Sequence, residues 1–148
     1  MKRIVVVAAV LALSAGAVVA QQDQASQTQA QMKDTGKNAG ALAAMIKGEK
    51  PYDQAAVDAA LAKFDDTAKK LPTLFPESSK TAKLEGDYSA SPKIWEDKAG
   101  FDTHIASFAK AVTDAKGKIK DLDTLKAEAP VVLKQCGGCH ETYRIKKG

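Results

Sequence analysis

At 148 residues, with 22 basic and 18 acidic side chains and two cysteines, the chain is sized for one domain and carries a formal charge of +4. It has no basic stripe with interleaved aromatics, which argues against a nucleic-acid partner, and two cysteines are too few for a Cys-rich structural zinc site. No nucleophile–base pair or carboxylate dyad marks an enzyme, and no stretch alternates as a strand does, so the chain reads as all-α.

Residues 1–20 read as a signal peptide. Lys2 and Arg3 give a basic start, Ile4 to Ala20 is apolar and uncharged, and Val18-Val19-Ala20 supplies the small residues before a cut at Gln21. The run is short for a spanning helix and no basic cluster follows it, so the mature chain, 21–148, is not membrane-embedded. An uncleaved anchor is the alternative. Export places the protein in the periplasm.

A first helix is expected over 21–47, with Ala25, Thr28, Met32, Ala39, Leu42 and Ile46 on one face. Gly36 and Gly40 fall near that face at a cost of about 1 kcal/mol each, which close approach of a flat ligand or of a neighbouring helix would offset. Plain tolerance is the competing explanation. Gly48 to Pro51 stops the helix. Asp53 caps a second helix running to about Leu71, with Val57, Ala60, Leu61, Phe64, Ala68 and Leu71 inward. Residues 72–90 form a long connection rich in Pro, Ser and Gly. Ser91-Pro92 starts a third helix that runs to Lys116 and buries Ile94, Trp95, Phe101, Ile105, Phe108 and Val112. Asp121 or Asp123 caps a fourth, which carries Leu125, Ala129, Val132, Leu133, Cys136, Cys139, His140 and Tyr143, with Pro130 inside it and a bend expected there. Four helices with short or moderate links give an antiparallel up-down-up-down bundle.

Cys136-Gly137-Gly138-Cys139-His140 is the attachment signature of a c-type haem. Positions three and four apart share a helix face, so both thiols and the imidazole can meet one flat ligand, with His140 on the iron. The two glycines let a porphyrin edge approach the backbone. A thioredoxin-like pair would need a βαβ setting, which is absent, and a plain disulfide leaves His140 unexplained. One haem c per chain, covalent through Cys136 and Cys139, follows. With eight aromatic residues in the whole chain, the porphyrin would supply much of the large apolar surface of the core.

A signal peptide, four helices and a C-terminal C-x-x-C-H resemble the class II cytochromes c, the cytochrome c′ family. The resemblance is carried by Gln29 with Met32-Lys33 and Gly36, by Lys47-Gly48-Glu49, by Leu71-Pro72 with Leu74-Phe75-Pro76, by Pro92-Lys93-Ile94-Trp95, and by Cys136 to Arg144. It implies a bundle around a covalent haem, His140 as proximal ligand, and Arg144 beside the proximal imidazole. Where family members often have Arg-Gln, this chain has Thr28-Gln29, which leaves Gln29 as the candidate haem contact. The resemblance further implies an electron carrier serving redox partners of the periplasm or inner membrane, as a monomer or homodimer.

Met32, Met45 and His104 are the candidates for the sixth iron position. At 1.5 Å per residue, His140 lies roughly 12 Å from the C-terminus and Met32 roughly 16 Å into the mature first helix, whereas Met45 is roughly 36 Å in. Met45 reads as core and His104, among polar neighbours, as a surface histidine. Met32 is read as the ligand, which resembles the low-spin branch of the family. The alternative is a five-coordinate, high-spin protein binding nitric oxide or carbon monoxide, with Met32 as a steric shield.

Overall fold

The computed structural model describes the backbone of residues 2–82 and 86–147 and the side chains of residues 22–82 and 86–147. The signal-peptide reading and its cut before Gln21 lie outside the residues whose side chains are described. Four long helices, α1 (Lys2–Ile46), α2 (Gln54–Lys70), α4 (Lys98–Lys116) and α5 (Leu122–Tyr143), form the bundle, with one-turn α3 (Lys93–Glu96) before α4. α1 starts well before the expected residue 21. No proline lies before Pro51, and the change from apolar to Gln-rich composition does not by itself break a helix.

The helix ends are set by local chemistry. Gly48 sits at φ +75°, its N–H donates to the Met45 carbonyl, and the Glu49 N–H donates to Ala44, which together make a Schellman cap. Asp53 caps α2 by accepting from the Ala56 N–H. Asp121 and Thr124 form a reciprocal capping box at the start of α5, which then runs unbroken through Pro130. The expected third helix is interrupted. Asp97 leaves helical geometry (φ −125°, ψ 60°), and its carboxylate accepts from the Gly100 N–H, starting α4 afresh.

A second departure is a short antiparallel ribbon of β1 (Tyr88–Ala90) and β2 (Arg144–Lys146), in the register Tyr88↔Lys146, Ser89↔Ile145, Ala90↔Arg144. Three residues are too few to show alternation in sequence. The ribbon is extended by Ser91 N–H donating to Tyr143 and Lys147 N–H donating to Asp87. Gly86 before it is at φ +94°, a conformation that glycine takes without strain.

Two apolar clusters fill the bundle. The larger joins Leu42, Met45, Val57, Leu61, Phe64, Phe108, Val112, Leu125 and Val132, so Met45 is core as expected. The smaller, Ile94, Phe101, Ile105 and Tyr143, lies at the end where α2 stops and α4 begins, with Leu71 and Trp95 only half-buried against it. The Trp95 indole N–H reaches the Phe75 and Pro76 carbonyls at 3.2 Å. Leu71 beside the Phe101–Tyr143 cluster shows that the C-terminal ends of α2 and α5 share one end of the bundle with the start of α4.

Candidate haem-attachment site

α5 brings Cys136, Cys139 and His140 onto its inner half. Both thiols are free and half-buried; Cys136 packs on the larger apolar cluster and Cys139 on the smaller. The pair therefore bridges the two parts of the core. In the chain itself burial pushes the Cys136 thiol up, and burial followed by the neighbouring Cys136 pushes Cys139 up to about 11, so both stay protonated near neutrality. Burial, and then the charge of Arg144, holds the His140 imidazole below its ordinary pKa. A neutral imidazole has a lone pair to offer a metal.

His104 is not the free surface side chain that its polar neighbours suggested. It is half-buried, with its ring 5.5 Å from that of Tyr143 and its Cε1 3.9 Å from where a Cβ on Gly138 would lie. Residues two apart on a helix stand about 200° apart, so the Gly138 side of α5 touched by His104 points nearly opposite to His140. α5 has α4 on one flank and α1 on the other. His140 therefore belongs to the α1 side.

The heights of the residues follow from the contacts. Gln31 Nε2 donates to Thr67 Oγ1 at 2.7 Å, and Thr35 Oγ1 lies 2.9 Å from the same atom, so the two bracket Met32 opposite Thr67 of α2. Phe64 meets Phe108 at 6.1 Å, and Phe101 meets Tyr143 at 5.1 Å. From Phe108 to Phe101 is about 10 Å toward the Tyr143 end, and from Phe64 to Thr67 about 4.5 Å in the same direction. The remainder, about 6 Å, is four residues of α5 back from Tyr143, which reaches Cys139 and His140. Met32, half-buried, stands at that level.

The α1–α5 seam between them is the loosest of the bundle's four. Gly36, one turn beyond Met32, and Gly40 are exposed, and a Cβ on either would meet no atom of the described residues within 4 Å. Close approach of a helix is thus not what Gly36 and Gly40 serve; room for a flat group along the seam fits. The donor set fits too: two neutral thiols, one neutral imidazole and a thioether across the gap. At the seam's end the Gln29 amide lies 3.5 Å from where a Cβ on Gly86 would be, and Thr28 donates to the Leu74 carbonyl at 3.0 Å. Arg144 is exposed, with its guanidinium 4.3 Å from the centre of the Tyr88 ring.

Sequence reasoning missed one group that shapes this end. The Tyr143 hydroxyl donates to Asp97 Oδ2 at 2.9 Å, tying the last turn of α5 to the cap of α4. The only sequence signal was Tyr143 on the apolar stripe, with Asp97 placed mid-helix.

The chain matches the family model for cytochrome c′ over residues 23–144. A "Cytochrome c-556" of Rhodopseudomonas palustris is 60% identical over 149 residues, covering 100% of each chain. A "Cytochrome c'" of the same organism is 48% identical, over 98% of this chain and 97% of that one. The NMR-validated structural model of oxidised R. palustris cytochrome c556 superposes with a TM-score of 0.75 at 58% identity, over 86% of this chain and 99% of that one. The chain belongs to the cytochrome c′ family, the class II cytochromes c, electron-carrying haem proteins rather than enzymes, and Cys136 and Cys139 are its haem c attachment pair.

Proposed function

We propose that the mature protein is a periplasmic electron carrier in which His140 and Met32 are the two axial ligands. The observation that carries this reading is the coincidence of level: Met32 on α1 and His140 on α5 stand at the same height along the two helices that border the seam. When bound, the haem supplies a one-electron couple, and a His/Met pair raises its reduction potential. Cys136 and Cys139 fix the group between the two apolar clusters, His140 presents a neutral nitrogen, and Met32 offers a soft sulfur donor. Gln29, at the seam's end, is the side chain we assign to its polar edge, and Arg144, whose charge bears on the His140 imidazole, to the proximal side. The redox partners that the family implies are assigned to the periplasm or inner membrane.

Carbon monoxide tests the ligand assignment. With Met32 in place the ferrous holoprotein should bind the gas weakly; rapid, tight binding would favour the five-coordinate reading, with Met32 as a shield. Attachment has its own check, since colour should stay with the denatured polypeptide through acid–acetone extraction. The export reading is supported by the basic start and apolar run, and by the family match beginning at residue 23. Mass analysis of the exported protein should find Gln21 first, and an intact apolar segment would refute the cut.

A further inference from the structure

The ribbon that follows the haem helix has one face that combines an exposed aromatic ring with two cations. Residues opposite one another in an antiparallel pair share a face. Tyr88, Ala90, Arg144 and Lys146 therefore lie together, while Asp87, Ser89, Ile145 and Lys147 take the other side. Tyr88 is 44% exposed, a large ring left in solvent, with the Arg144 guanidinium laid across it. Ten lysines elsewhere pair with acids among the described residues, and neither Arg144 nor Lys146 is in any of those pairs. Among the described residues of the ribbon, this face has two cations, an aromatic centre and no carboxylate. It begins four residues, about 6 Å of helix rise, beyond His140.

Resting on the electron-carrier reading above, we propose that this face, Tyr88 with Arg144 and Lys146, is the docking surface for an acidic redox protein. Charge complementarity names the partner's chemistry: a carboxylate-rich patch is drawn in by Arg144 and Lys146, and Tyr88 gives it an apolar anchor with a polar tip. A partner seated there lies beside the end of α5 that holds His140.

The test uses reduced holoprotein in a stopped-flow instrument, with two oxidants: plastocyanin, an acidic copper protein, and the small anion hexacyanoferrate(III). At low ionic strength Lys146→Glu should slow oxidation by plastocyanin roughly tenfold, an effect that fades at high salt. Lys120→Glu makes the same change in net charge at the opposite end of the bundle and should alter the rate less than about twofold. Tyr88→Ala should slow plastocyanin and leave hexacyanoferrate unchanged. Equal slowing by Lys146→Glu and Lys120→Glu would mean that only whole-molecule charge matters, and would overturn the proposal. So would vesicles of phosphatidylcholine and phosphatidylglycerol that bind the wild type but not Lys146→Glu while plastocyanin rates stay the same. Variants that all react alike remove the docking face and leave the carrier reading standing; a holoprotein that reduces neither oxidant removes both.

Discussion

Met32→Ala is expected to turn the oxidised holoprotein from low-spin to high-spin, to lower its reduction potential, and to let carbon monoxide bind the ferrous form readily. The substitution replaces a thioether by a methyl at the level of His140, so the sulfur donor is lost from that side of the seam. His104 cannot take its place, because it touches the Gly138 side of α5, nearly opposite His140. Met45→Ala is the matched control. Met45 is buried in the larger cluster, so its truncation should cost about 2–5 kcal/mol of stability with the spectrum unchanged. If both variants kept the wild-type spectrum, Met32 would be packing and no more.

Gly100→Ala is the second large effect, and its sign runs against helix propensity. In an open helix the change would gain about 1 kcal/mol. Here the new methyl would clash with Asp97 Oδ2 and lie 2.6 Å from the Tyr143 hydroxyl. Those atoms cannot move aside freely, because Asp97 caps α4 and Tyr143 donates to Asp97. Overpacking typically costs about 1–3 kcal/mol, and the cap it displaces is itself worth about 0.5–2 kcal/mol. A net loss of about 1–3 kcal/mol is expected, read as a lower urea midpoint. In an Asp97→Ala background most of the added penalty should vanish, since the clashing carboxylate and its bond to Tyr143 are already gone. A penalty of the same size in both backgrounds would place the strain elsewhere.

The parts of the fold legible in sequence were those written in repeated or obligatory signals. The apolar spacing from Val57 to Ala68 and from Leu125 to Tyr143 gave the helices and their faces, Asp53 and Gly48 gave their ends, and C-x-x-C-H gave the attachment point. What was not legible depended on contacts between distant residues. Asp97 looks like one more polar residue within a helical pattern until Tyr143 and the Gly100 N–H both meet its carboxylate. β1 and β2 are three residues each and define one another only by pairing. His104 was assigned to the surface from its neighbours in sequence, whereas Tyr143 and Gly138, its neighbours in space, come from another helix. The site divides in the same way. Cys136, Cys139 and His140 are a local motif, but that Met32 shares their level emerges only through Thr67, Phe64, Phe108 and Phe101, one contact after another.

The electron paramagnetic resonance spectrum of the oxidised wild-type holoprotein at neutral pH tests the central claim most directly, because it reports the number of axial ligands without any substitution. The account predicts a low-spin ferric signal, with His140 and Met32 both bound. A high-spin signal from the folded, fully loaded protein would contradict it.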